Sequence, residues 1–144
     1  MKVRYFYYET ESSNKLHRSL WPCAITMAPV AKAFDKYLMA ALATDFSENR
    51  YGHLELVLDA VDKVESGEFN EYEWEGQGFT SHITLDRVRL EHSVFGECPE
   101  WPIWCCTLAQ YKAALLGYRR FLDMPKAIGS ELIIDLPDGE PKVC

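Results

Sequence analysis

Alternating glutamates give one stretch of this sequence its clearest chemical character. Glu71, Glu73 and Glu75 occupy every second position, with the aromatic residues Tyr72 and Trp74 between them. On a β-strand, alternate residues share one face and lie about 7 Å apart. A catalytic carboxylate needs a raised pKa, which usually requires burial, whereas three carboxylates on an open strand face stay hydrated and ionised. The row therefore predicts either an ordinary solvated face or an acidic surface that binds a basic partner.

A second acidic group lies on the polar face of a predicted helix that follows Gly52. Its members are Glu55, Asp59 and Asp62. If this helix lies near the glutamate row, the two groups would form one surface that attracts and orients a basic protein. We therefore expect all six carboxylates to contact the partner.

The histidines do not form a catalytic or ligand pattern. None of His17, His53, His82 and His92 belongs to an HExxH or similar pair. His92 falls on the apolar side of a predicted strand, which favours a hydrogen-bonded core histidine. His82 falls on the exposed side of the facing strand, so we do not expect the two to share a site.

The five cysteines are odd in number and irregularly spaced. No export signal precedes them, so reduced thiols in a cytosol are expected rather than disulfides. A zinc site usually contains a C-x2-4-C pair, and the adjacent Cys105 and Cys106 would point to opposite faces of a strand. We expect no catalytic residue, metal or cofactor. A small enzyme that uses a cysteine or a histidine, such as Cys98 or His82, is a third possibility besides the two protein-binding functions considered below.

The order of secondary-structure elements predicts an α+β fold for residues 1–144 as one domain, with an antiparallel hairpin or meander packed against several helices. Lys2–Tyr8 suits a first strand. The region after the sequence ETESSN is expected to be helical and broken by Pro22 and Pro29. From Pro29 an apolar stripe predicts a helix towards the core: Val30, Phe34, Tyr37, Leu38, Ala41 and Leu42.

In the second half of the chain, the spacing of apolar residues changes from a helical pattern to strand-like alternation. Leu54, Leu58, Val61 and Val64 predict a helix that ends at Gly67. The G-x-G at Gly76–Gly78 is followed by a strand, so it predicts a turn or bulge rather than a phosphate-binding loop. A tight hairpin follows at Asp86-Arg87, in which alternation places Phe79, Ser81, Ile83 and Leu85 on one face and Val88, Leu90, His92 and Val94 on the returning arm.

The end of the chain is predicted to contain one more helix and an irregular tail. Ile103–Cys106 suits a short strand, and Thr107 with Gln110 forms a capping box that opens a helix. Pro125 ends that helix, and the segment 126–144 is expected to be irregular apart from a strand-like run from Leu132 to Leu136.

Composition excludes several classes of function. The formal net charge is −7 at pH 7, which argues against direct binding of nucleic acid or anionic lipid. No segment approaches the roughly 20 apolar residues that span a bilayer, so we expect no membrane association and a cytoplasmic location. Oligomeric state does not follow from the sequence.

The carboxyl half of the chain resembles a known group of proteins. Trp74-x-Gly76 leads into the hairpin FTSHITLDRVRLEH, and this is followed by the helix LAQYKAALLGYRRFLDM. Over residues 72–122 this arrangement is similar to small bacterial immunity proteins that accompany polymorphic toxins, including those of contact-dependent growth inhibition systems. The resemblance implies an acidic, cytosolic, non-enzymatic protein that binds and neutralises one toxin domain, often a nuclease. It assigns no partner-contacting residues.

The leading hypothesis is therefore an immunity protein that contacts a basic toxin domain through an acidic surface. The alternative is a non-enzymatic cytosolic adaptor or regulatory module that binds proteins through an aromatic groove on its sheet. Tyr72, Trp74, Trp101 and Trp104 could supply aromatic anchors for either, or could belong to the core.

Overall fold

The computed structural model describes residues 1–11, 18–29, 31–47 and 50–144, without the side chains of Arg18 and Arg50. Within these ranges there are seven strands: β1 (Lys2–Glu11), β2 (Arg18–Thr26), β3 (Glu71–Glu75), β4 (Phe79–Thr84), β5 (Val88–His92), β6 (Trp104–Cys106) and β7 (Glu131–Asp135). The same ranges contain three longer helices. These are α1 (α-helix Lys32–Phe34, π-helix Asp35–Met39 and α-helix Ala40–Asp45 in one run), α2 (His53–Glu65) and α3 (Leu108–Leu122). The fold is α+β, as predicted.

The first sheet has the strand order β2-β1-β7 and is antiparallel throughout. The prediction of a helical region broken by Pro22 is wrong, because residues Arg18 to Thr26 pair with β1 along its length. The edge of β1 offers backbone hydrogen bonds that local sequence does not reveal, and proline is tolerated because β2 is an edge strand. The run from Leu132 to Leu136 is a strand, shifted by one residue, and it pairs with the other side of β1.

The second sheet is a meander with the order β3-β4-β5-β6. The predicted hairpin is confirmed: Ile83 pairs with Val88, and Thr84 donates a backbone hydrogen bond to Arg87. Phe79, Ser81 and Ile83 are buried as predicted. Leu85 and Val94 are instead exposed, because each strand ends before its predicted last residue.

Helix α1 bridges the two sheets. It begins at Lys32 rather than at Pro29, and Val30 lies outside the described residues. The rest of its predicted stripe is buried or half-buried in the core. Near its start, the Asp35 carboxylate accepts hydrogen bonds from Thr26 of β2, at 2.7 Å from the backbone N and 2.9 Å from Oγ1. At its end, Asp45 accepts from Gly78 N at 2.7 Å, just before β4.

The other two helices pack as the sequence predicts. The apolar stripe of α2 is buried, and Gly67 after its end has a φ of 82°, the left-handed conformation that favours glycine. Helix α3 opens with the predicted capping box, in which Thr107 Oγ1 accepts from Gln110 N at 3.0 Å and Gln110 Oε1 accepts from Thr107 N at 3.0 Å. No helix in the described ranges is long and apolar enough to cross a membrane.

Candidate functional site

The glutamate row lies on an edge strand of the second sheet. Strand β3 pairs only with β4 among the described strands, and Glu71, Glu73 and Glu75 are exposed. Tyr72 and Trp74 point the other way and pack against the core. The predicted alternation of a water-facing acidic side and an inward aromatic side is therefore confirmed. Trp101 and Trp104 also pack against the core, which favours a structural role for these aromatic residues.

One of the three glutamates has a partner. Glu71 Oε2 lies 3.1 Å from His82 Nε2, and His82 Nδ1 lies 3.4 Å from a guanidinium nitrogen of Arg87. The Glu71 side chain is nevertheless 67% exposed, so this is a hydrated surface contact and not a dry catalytic pocket. No ion pair to Glu73 or Glu75 occurs within the part of the chain that the structure describes. These two carboxylates carry uncompensated negative charge.

The second acidic group differs, because its charges are balanced within the molecule. Arg119 of α3 lies 3.1 Å from Glu55, Lys63 lies 3.1 Å from Asp59, and Lys112 lies 3.2 Å from Asp62 and 2.7 Å from Glu65. The charges of Lys112 and Arg119 on α3 are in turn balanced by these carboxylates.

The two acidic groups do not share a face. Helix α2 packs against β3 and β4 on the side where Tyr72 and Trp74 lie, whereas Glu71, Glu73 and Glu75 point to the opposite side of the sheet. The two groups therefore do not form the one continuous acidic surface that was expected. The strand glutamates form the exposed and largely unpaired group, while the helix carboxylates form a network of ion pairs.

A cleft of about 450 Å³ opens beside Glu75. It lies where β2, the end of α1, the start of α2 and the turn between β3 and β4 meet. The lining residues that bear on its chemistry are Trp21, Asp45, Tyr51, His53, Trp74 and Glu75. Sequence reasoning missed this cleft because it depends on β2, which was expected to be helical.

Aromatic rings form a connected wall of the cleft. The ring centroids of Tyr51 and His53 are 5.7 Å apart, and those of His53 and Trp74 are also 5.7 Å apart. Trp74 stacks on Phe46 behind it at 4.8 Å, which fixes its orientation. Trp21 is exposed on β2 and contributes a further indole.

Tyr51 combines two unusual properties. Its side chain is 91% exposed, and its φ of 58° lies in the left-handed region that bulky residues rarely adopt. Such conformations cost about 1–3 kcal/mol and persist only where the surrounding structure imposes them, often at functional sites.

Asp45 forms the floor of the cleft together with the G-x-G turn. Its carboxylate accepts hydrogen bonds from Gly78 N at 2.7 Å and Phe79 N at 3.2 Å. A Cβ atom at Gly76 would lie 2.6 Å from Asp45 Cγ, so only glycine allows this close approach. Burial raises the pKa of Asp45 above its ordinary value, although the backbone hydrogen bonds act in the opposite direction. The G-x-G segment forms the predicted turn, and this turn packs against the carboxylate of Asp45.

The remaining histidines have structural surroundings or lie outside the described part. His92 Nδ1 accepts from Val94 N at 3.2 Å and Phe95 N at 3.1 Å, and its ring contacts Trp101 at 4.5 Å. His92 is hydrogen-bonded as predicted, but it is half-buried and lies outside the hydrophobic core, so the expected core position is wrong. His17 falls outside the described residues.

The prediction that all cysteines are reduced is wrong for two of them, because Cys105 and Cys144 form a disulfide. The C-terminal segment returns to β6, a contact that residue spacing alone does not reveal. Cys105 is bonded to Cys144, whereas its neighbour Cys106 is buried in the core as a free thiol. No group of three or more His, Cys, Asp or Glu side chains in the described ranges could hold a metal ion.

Comparisons with protein-family models, with curated proteins and with solved structures gave no match, so the interpretation of this site depends on its own residues and their geometry.

Proposed function

We propose that this chain is an immunity-type protein that binds and neutralises a basic toxin domain, such as a nuclease, by direct contact. The contact surface is the exposed side of β3, with Glu71, Glu73 and Glu75. The contrast between the two acidic groups carries this proposal, because Glu73 and Glu75 lack ion pairs among the described residues whereas Glu55, Asp59 and Asp62 have them.

An acidic strand suits a partner whose own surface binds phosphate. A nuclease presents a positively charged cleft, and a row of carboxylates about 7 Å apart can occupy it in place of phosphate groups. Charge complementarity of this kind accelerates association and selects the partner. The ion-paired carboxylates of α2 contribute only to the long-range field. The protein performs no catalysis in this role, needs no cofactor and does not bind nucleic acid or membrane itself.

The proposed location is the cytoplasm, where the toxin would act. The glutamate row does not include either cysteine, and toxin binding should therefore be independent of the disulfide.

Charge reversal tests the proposal. The triple variant Glu71→Lys, Glu73→Lys and Glu75→Lys should weaken toxin binding by at least about 100-fold at low salt and abolish its salt dependence. A matched control reverses three exposed glutamates elsewhere, Glu97, Glu100 and Glu140, which changes the net charge equally. Isothermal titration at two salt concentrations measures both. Equal losses in the two variants, or none in the first, would reject the strand as the contact surface.

The partner itself can be sought in the neighbouring gene. An immunity gene normally lies directly downstream of its toxin gene, so the product of the upstream gene is the protein to use in a pull-down. Expression of this chain should then restore growth of cells that produce the toxin domain. A captured partner without growth rescue would contradict neutralisation.

One observation favours an adaptor as the second candidate. The outward face of the first sheet exposes several apolar side chains, and no helix covers it among the described elements; they are Tyr8, Trp21, Ile25 and Ile133. A protein-binding module could use this face instead of β3. Ile25→Ser with Ile133→Ser would then abolish partner capture, whereas reversal of the β3 glutamates would leave it unchanged.

A further inference from the structure

We propose that the cleft beside Glu75 is a receptor for the guanidinium group of an arginine side chain on a polypeptide partner. This inference deepens the proposed function, on which it rests for the identity of the partner. The recognition itself concerns a chemical group and can be measured without any toxin.

The aromatic wall provides the first part of the argument. A cation is attracted to the face of an aromatic ring within about 6 Å of its centroid, and the attraction is strongest for tryptophan. Trp21, Tyr51, His53 and Trp74 all line the cleft, and the His53 ring contacts the rings of both Tyr51 and Trp74. Tyr51 and Trp21 are both exposed, so the lining of the cleft presents apolar surface to water.

Charge provides the second part. Asp45 and Glu75 are the acidic residues of the lining, and none of the described lining residues is lysine or arginine. Glu75 points to the other side of the sheet from Trp74, but as the last residue of β3 it lines the same cleft, and it has no ion pair within the described ranges. Asp45 already accepts hydrogen bonds from backbone amides of the turn, including Gly78 and Phe79, but a carboxylate has about four acceptor positions. The burial that raises the pKa of Asp45 would be offset by a bound cation, which stabilises the ionised form.

Shape favours arginine over lysine. A guanidinium group is planar, so it can stack on an indole while it donates two parallel hydrogen bonds to a carboxylate. The lining of the cleft, which has a volume of about 450 Å³, includes both indole rings and carboxylates. The ammonium group of lysine is more strongly hydrated and cannot stack. An aromatic wall can also contact neutral sugars, and this alternative is separated by experiment.

Position links the cleft to the acidic strand. Glu75 belongs both to the row on β3 and to the lining of the cleft. A basic segment of the partner that runs along β3 would therefore reach the cleft at the end of the strand. The row would attract the partner, and the cleft would fix its register by holding one arginine.

The test uses N-acetyl-arginine amide as the probe and N-acetyl-citrulline amide as its uncharged isostere. Titration at constant ionic strength is followed by the nuclear magnetic resonance signals of the four indole N–H groups. We expect the arginine probe to shift the signals of Trp21 and Trp74 in a saturable manner, with Trp101 and Trp104 as internal references. Citrulline amide should bind about tenfold more weakly or not at all. Equal binding of citrulline amide, saturable binding of a neutral disaccharide instead, or no binding of the arginine probe would each overturn the inference.

Paired variants localise the effect. Glu75→Gln should weaken binding of the arginine probe by about fivefold to tenfold, because it removes the charge that assists the hydrogen bonds. Glu73→Gln makes the same change on the same strand but outside the cleft, and it should leave the affinity unchanged. Trp21→Leu should weaken binding without unfolding the chain, because Trp21 is exposed. If the two glutamate variants weakened binding of the arginine probe equally, the attraction would come from the overall negative charge of the protein and not from the cleft. The inference would then be rejected.

The outcomes also separate this inference from the proposed function. If the arginine probe binds in the cleft but no toxin is captured, the proposed function fails and the pocket stands. If a toxin is captured with an affinity that Glu75→Gln and Trp21→Leu leave unchanged, the proposed function stands and the pocket is rejected.

Discussion

The hydroxyl of Tyr111 donates a hydrogen bond of 3.1 Å to Ser81 Oγ and so joins helix α3 to the inner face of the second sheet. Both residues are buried. Two helical turns further along α3, the hydroxyl of Tyr118 is buried without a hydrogen-bond partner among the described residues. Helix α3 therefore carries two buried tyrosine hydroxyls, one with a hydrogen-bond partner and one without a partner among the described residues.

This difference predicts opposite effects for two identical substitutions. Tyr111→Phe should lower the free energy of unfolding by about 1–2 kcal/mol, because it leaves Ser81 buried without its donor. Tyr118→Phe should leave it unchanged or raise it by up to about 1 kcal/mol, because it removes a polar group that was desolvated without compensation. Urea unfolding followed by circular dichroism measures both values. A loss of equal size in Tyr118→Phe would mean that its hydroxyl has a partner after all.

Gly117 is predicted to be essential for close packing of α3 on the first sheet. A Cβ atom at this position would lie 2.6 Å from Ile134 Cδ1 and 3.0 Å from Tyr5 Cε2. Gly117→Ala should therefore destabilise the protein by about 1–3 kcal/mol, although alanine is the better helix former by about 1 kcal/mol. Thermal unfolding measures the change.

Two further variants test the cause. Ile134→Val removes the nearest atom, so the loss caused by Gly117→Ala should be smaller in the Ile134→Val background than in the native one. Gly129→Ala meets nothing within 4 Å and should be nearly neutral. If Gly117→Ala is stabilising, the helix does not approach the sheet as closely as described.

Stability should fall in alkaline solution because of buried tyrosines. Burial raises the pKa of Tyr5, Tyr111 and Tyr118 above the ordinary value of 10.0. The unfolded chain then releases these protons first, so the folded state binds more protons once the pH exceeds that value. Each buried phenol lowers the free energy of unfolding by up to about 1.4 kcal/mol per pH unit above pH 10 and has no effect below it.

Tyrosinate absorbance and denaturant unfolding between about pH 9 and pH 12 test this prediction. The absorbance of the buried tyrosines should appear together with cooperative unfolding, and Tyr118→Phe should reduce the pH dependence by about one proton. Early ionisation of all tyrosines in the folded protein would contradict the burial of these side chains.

The disulfide is predicted to stabilise the oxidised protein substantially. Cys105 and Cys144 are separated by 39 residues, and closing a loop of this length in the unfolded chain is worth about 3–4 kcal/mol by the chain-entropy model. Cys144→Ser should lower the free energy of unfolding by this amount in non-reducing buffer. A reductant should lower the free energy of unfolding of the native protein to the same value and should leave that of the variant unchanged. Cys98→Ser, which alters a free cysteine, is the matched control.

The local parts of the fold were predictable because neighbouring residues determine them. Thr107 and Gln110 specify a helix start through their own side chains, and Gly67 specifies a helix end through its backbone freedom. The orientation of Glu73 follows from strand alternation alone. These features need no information about the rest of the chain.

The parts that could not be predicted depend on contacts between distant segments. Strand β2 alternates between outward Trp21, Cys23 and Ile25 and inward Ala24 and Thr26. The segment is a strand because it pairs with β1, a contact that local sequence does not specify. Without β2 the cleft would lack Trp21, one of its aromatic lining residues.

Asp45 was overlooked for a related reason, since it meets Gly78 across 33 positions of sequence. Pairing of helix carboxylates with Lys112 and Arg119 likewise requires the packing of α2 on α3. Charge counted along the sequence therefore overestimated the free acidic surface.

Helix α1 acts as a spacer of fixed length and phase between the two sheets. Its anchoring carboxylates, Asp35 and Asp45, are ten positions apart, which corresponds to about 15 Å of helix. Deleting one residue from the α-helical part, Ala40–Asp45, would rotate one anchor relative to the other by about 100°. The gap between Trp21 on one sheet and Trp74 on the other is thus set by the number of residues in a single helix, so a change of one residue there would alter the width of the cleft without touching its walls.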